Sequence, residues 1–179
     1  ARIVNDPATL PATTVRSVRE VLSNHSVRVA GVTMAVGQVV MVMLMVITSL
    51  HMSHHHHALS SIAAVMSSHV FGMFAFSAVS GRIADRWGRG PLIGAGAIVL
   101  VVASLLSTLS TDAGPLGFAL FLLGLGWNFC YVGGSTLLSD SLSQGERAKI
   151  QSINEFVLTS VAGAGAALSG VVFSAVGYA

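Results

Sequence analysis

Charge is what this chain has least of. Asp, Glu, Lys and Arg together make up 9% of its 179 residues, against 53% hydrophobic. A soluble domain of this size needs a polar shell that such a composition cannot supply. The mean hydropathy of +0.78 agrees. The single cysteine, Cys130, excludes a disulfide framework within the chain. No nucleophile–base pair, phosphate-binding loop or CxxC pair supports an enzyme. The first 28 residues are polar, with Pro7, Pro11 and scattered arginines, and do not read as a signal peptide.

Long uncharged runs take the place of charge. Val29–Leu50, Ala58–Gly81, Pro91–Thr111, Ala113–Ser139 and Phe156–Ala179 hold no Asp, Glu, Lys or Arg. Each reaches the roughly 20 apolar residues that a helix needs to span a bilayer. The expected fold is therefore all-α and integral to the membrane, with spans over about 29–50, 61–80, 91–110, 116–139 and 155–176. Every Lys and Arg falls in segments 1–28, 82–90 and 140–155, and none in Leu50–Ser60 or Thr111–Leu116. The positive-inside rule then puts the first three segments in the cytoplasm and the last two outside. The isoelectric point near 9.2 comes from these loop arginines, so no nucleic-acid partner is implied.

Residues 1–14 read as a linker, and Val15–Asn24 as a short amphipathic segment with Val15, Val18, Val21 and Leu22 on one face. Together, 1–28 form a cytoplasmic lead-in and 29–179 a transmembrane bundle. An odd number of spans and a long polar start make the chain read as cut at both ends. The third span is featureless and should face lipid. The fourth carries Gly124, Gly126, Gly133 and Gly134, and the fifth is dense in Gly and Ala, as closely packed helices are.

Methionine and histidine are absent from the last 106 residues and concentrated before them. All seven methionines and six of the seven histidines lie between Met34 and Met73. Thioether and imidazole bind soft or borderline metals. On the first span Met34, Gln38, Met41 and Met45 follow steps of four, three and four, which place them on one helical face. On the second, Met66, His69 and Met73 repeat the pattern. His69 is the only ionisable side chain in the interior of a span, and such a residue is a candidate functional site. By helical rise, Met41 and His69 each lie roughly 18 Å from the cytoplasmic end of their helices. That is near mid-membrane, where transporter sites sit. Met41, Met45, His69 and Met73 would form a soft, uncharged set suited to Cu(I) more than Zn(II). His51, His54, His55, His56, His57 and Met66 could capture metal at the outer mouth. The bland alternatives are methionine as gap filler, His69 as a hydrogen-bonded core residue or proton carrier, and the histidine run as a solvated turn. Cys130 and Asn128 read as packing residues.

Between the second and third spans, Gly81-x-x-x-Asp85-Arg86-x-Gly88-Arg89 resembles the signature loop of the major facilitator superfamily. Gly81 suits close packing at the helix exit. Gly88 suits a reversal with positive φ, and Asp85 a neighbouring helix N-terminus. Gly90 departs from the pattern, which usually has a basic residue there. The resemblance covers about residues 15–179 and implies a partial six-helix half. The basic lead-in points to the C-terminal half, helices seven to eleven, without the N-terminal half and the twelfth helix. Within the superfamily, Met41-x-x-x-Met45 and His69-x-x-x-Met73 look like the paired motifs of the CcoA-type (CalT family) copper importers, which supply copper for cytochrome oxidase assembly. The resemblance implies a secondary transporter in a bacterial cytoplasmic membrane, with copper as cargo and no cofactor. The competing expectations are a proton-coupled exporter of drugs or other small organic molecules, and a non-transporting membrane protein that acts by association.

Overall fold

The computed structural model describes residues 16–176, and the linker read over 1–14 lies outside them. Seven helices follow one another: α1 (Val18–Ser23), α2 (His25–His54), α3 (Leu59–Phe74), α4 (Ser77–Trp87), α5 (Arg89–Ser107), α6 (Ala113–Asp140) and α7 (Gln144–Val176). Ser17 caps α1 by accepting from the Glu20 amide at 3.3 Å. Asn24 ends that helix and starts the next, its side chain accepting from the Ser26 amide at 2.9 Å. α2, α5, α6, α7 and the α3–α4 pair are each long and apolar enough to cross a membrane.

The helices pack around α6. Half of its most apolar window is covered, against 17% to 28% in the other spans. α3 and α5 lie along it, as does α2, which also carries α7. Small residues make this possible. A Cβ added to Gly124 would collide with the His69 carbonyl oxygen, and one added to Gly72 with that of Phe121. The α3 and α6 backbones therefore touch directly. α5 exposes Ile98, Val101 and Leu105, as the lipid-facing expectation requires.

Several boundaries differ from those read in the sequence. The second span is broken at Ala75–Phe76 and resumes as α4, so most of the signature loop is helical. Asn128 explains how the break survives in an apolar setting. Its Nδ2 donates to the Met73 carbonyl at 2.7 Å and to Ser77 Oγ at 2.9 Å, while Ser80 Oγ donates to its Oδ1. Backbone groups freed from a helix in lipid must find such partners. The segment 140–154, read as mostly loop, is helical from Gln144 onward, which carries Glu155 well into α7. Most of the small residues of α7 are exposed, and among them Gly165 and Ser169 are buried. That helix packs along one narrow line, near Met43 and Val39 of α2, instead of all round.

Candidate functional site

His69 is fully buried on the face of α3 that meets α6. Its Nδ1 lies 3.1 Å from the Leu120 carbonyl oxygen. A carbonyl only accepts, so Nδ1 carries the proton and the lone pair resides on Nε2. That nitrogen is buried and has no hydrogen-bond partner among the described residues. Metal-binding histidines typically have this arrangement: one nitrogen tied to a backbone carbonyl, the other left to ligate.

The methionines divide by depth and direction. Met41 is buried in an apolar cluster with Val65, Leu120, Leu123 and Cys130, and Met66 and Met73 pack against the same cluster. Met45 is half-buried. Met34 sits in a second cluster towards the arginine-bearing end, with its sulfur 3.8 Å from Asn154 Nδ2. Met43 turns to α7, 3.6 Å from where a side chain on Gly165 would begin. α3 packs along α6 and meets α2 only lightly. The α6 surface around Leu120 and Leu123 therefore joins the two motif-bearing helices. No group of three or more His, Cys, Asp or Glu side chains is placed to hold a metal among the described residues.

At the His-rich end, α2 runs on to His54 and the chain turns over 55–58. His51 is buried, with its ring 4.3 Å from that of His55, and His54 lies 5.9 Å from His55. His54, His55 and His56 are exposed, His57 half-buried, and His56 has φ 56°.

A second constellation, made by α2, α6 and α7, was not singled out in the sequence. Trp127 Nε1 donates to Gln38 Oε1 at 2.8 Å. Tyr131 OH donates to Glu155 Oε1 at 3.0 Å. The Trp127 and Tyr131 rings stack with centroids 4.9 Å apart and planes 15° from parallel. These four residues, with Leu158 and Thr159, line a cavity of about 340 Å³. Its sequence signals were Trp127-x-x-x-Tyr131 and Glu155-x-x-x-Thr159, each one helical turn apart. A fifth span begun at residue 155 hid them by leaving Glu155 at a helix end.

The signature loop closes around Arg89. Its Nε donates to Asp140 Oδ2 at 2.9 Å and its Nη1 to the Ala84 carbonyl at 2.9 Å, while Nη2 lies 3.2 Å from Asp85 Oδ1. One guanidinium thus joins the ends of α4, α5 and α6. Gly88 takes φ 96° and makes the reversal. Asp85 and Arg86 are exposed. Gly81 corrects the expectation of close packing, because no other described helix comes within 4 Å of where its Cβ would sit.

The sequence model described as Major Facilitator Superfamily matches residues 29–179. The chain belongs to the major facilitator superfamily. It is accordingly a multi-pass membrane protein of a transporter family. The uncharacterized MFS-type transporter YddS of Bacillus subtilis is 34% identical over 84% of this chain and 35% of its own length. The riboflavin transporter RfnT of Brucella anthropi is 29% identical over 66% of this chain and 30% of its own. The multidrug resistance protein MdtL of Citrobacter koseri is 34% identical over 49% of this chain and 22% of its own. The chain spans about a third of the length of the first two. No solved structure matches it.

Proposed function

We propose that this major facilitator protein forms part of a secondary transporter that moves copper across a bacterial cytoplasmic membrane by alternating access. Met41, Met45, His69 and Met73 are its cargo ligands. The observation that carries the reading is His69: a buried imidazole whose Nδ1 is fixed by Leu120 and whose Nε2 lone pair is unclaimed among the described residues. Thioethers supplied by Met41 and Met73 from the adjoining cluster would complete a soft, neutral site. A neutral set suits a monovalent soft ion, and weak thioether bonds allow release. The outer histidines and Met66 would deliver the ion to this site. The rest of the transporter, an N-terminal half and a twelfth helix, would supply the opposite wall of the pathway.

The test is copper accumulation in cells carrying the full-length transporter, with Met41→Leu, His69→Ala and Met73→Leu compared with wild type at matched protein levels. Uptake should fall at least about tenfold for His69→Ala, the scale expected when a ligand or its support is lost. Unchanged accumulation in all three variants would remove copper as cargo.

A second reading, transport of a small organic solute, is favoured by the aromatic and carboxylate-lined cavity between α2, α6 and α7. Two relatives carry names denoting organic cargo, one riboflavin and one multiple drugs. Growth-inhibition profiles of the same strains against a panel of organic cations and flavins decide between the readings, since a carrier of such solutes shifts them and a copper carrier does not.

A further inference from the structure

We infer that the cavity lined by Gln38, Trp127, Tyr131, Glu155, Leu158 and Thr159 binds a flat organic cation, which rests on the second reading above and names its solute class. Three features of the cavity converge on that chemistry. The first is size: about 340 Å³ falls in the range of roughly 300–1,000 Å³ that small-molecule sites occupy. The second is shape. Trp127 and Tyr131 are stacked nearly parallel, and Phe74 meets Trp127 edge-on at 6.5 Å. The Gln38 amide oxygen holds the indole N–H and fixes its plane. The result is an ordered aromatic wall beside open space.

The third feature is charge. The described ion pairs join Arg16 to Glu146, and Arg89 to Asp85 and Asp140; none includes Glu155. Its one described hydrogen bond comes from Tyr131, a neutral phenol. Glu155 is exposed on the open side of the cavity, and a carboxylate on a membrane-spanning helix with no described cationic partner is a candidate for binding a charged solute. A cation stacked on Trp127 or Tyr131 would pair with it and also gain from the ring quadrupole. A small inorganic ion would gain little from the rings, and a divalent ion would find only one charged ligand. A neutral flat molecule would gain the stacking without the charge.

Trp127 can report on its own occupancy. The chain has two tryptophans, and the other, Trp87, is exposed at the end of α4. In a Trp87→Phe background of the full-length transporter, with any further tryptophans also replaced by phenylalanine, emission from Trp127 is titrated with N-methylacridinium and separately with neutral acridine. The cation should quench saturably and bind about tenfold more tightly than acridine. Glu155→Gln should cost about tenfold in affinity for the cation and leave acridine unchanged, which also shows that the variant is folded. A tenfold change is about 1.4 kcal/mol. Equal affinity for the two probes overturns the inference while leaving the organic-solute reading standing. So does a cation affinity that Glu155→Gln leaves intact. Absence of binding by either probe overturns both.

Discussion

The side-chain amide of Asn128 donates to the carbonyl of Met73 at 2.7 Å, across the interface between α6 and the broken second span. The bond explains two facts together: why the helix can break at Ala75–Phe76, and why a polar residue sits buried on α6. Replacing Asn128 with Leu leaves the Met73 carbonyl and Ser77 Oγ without that donor, while Ser80 Oγ keeps the Phe76 carbonyl at 3.0 Å. Each buried polar group left unsatisfied costs about 1–3 kcal/mol. Asn128→Leu should therefore lower the unfolding midpoint in detergent by several degrees. An unchanged midpoint would mean that the break is set by residues 75 and 76 alone.

Backbone contact between α3 and α6 depends on Gly72 and Gly124. Gly124→Val should abolish accumulation of folded protein, because the obstacle is a carbonyl oxygen that cannot rotate away. Gly163→Val on α7 meets nothing within 4 Å and should be tolerated. Size-exclusion profiles of the two variants make the comparison, and equal behaviour would contradict the packing described.

Gly88 has φ 96° and ψ 161°, a region open almost only to glycine. Gly88→Ala should cost about 1–3 kcal/mol, seen as a lower unfolding midpoint. Arg89→Ala should free the α4, α5 and α6 ends from one another and speed proteolysis at the turn, with less effect on the midpoint.

A role for His69 in stability can be separated from a role in metal binding. Glutamine in its place can still donate to the Leu120 carbonyl but has no imidazole nitrogen to ligate. His69→Gln should keep close to wild-type stability and lose copper uptake. If it retains uptake, the buried Nε2 is not a ligand.

Much of the fold was legible because lipid imposes a simple rule. Uncharged runs of span length marked all five crossings, and Gly88 marked the reversal. The break after Phe74 was not legible, since its stabiliser, Asn128, lies on another helix about fifty residues away. Depth along the last span was hidden for a related reason: Glu146, Arg147 and Lys149 look like loop, yet they lie in the first two turns of α7. The Met/His pattern was visible as periodicity, but not the detail that Leu120 fixes the His69 tautomer. The cavity beside Glu155 needed three helices to be placed before its walls could be seen.

Direct backbone contact between α3 and α6 also constrains motion. Two helices whose carbonyl oxygens rest on each other's glycines cannot roll or slide without collision, so they must travel as a single rigid blade. Tilting within the second span is left to the segment beyond Phe74, where Asn128 holds the joint. His69 and Met73, both on the blade, keep their spacing while the segment beyond Phe74 swings, whereas Met41 and Met45 on α2 lie outside it.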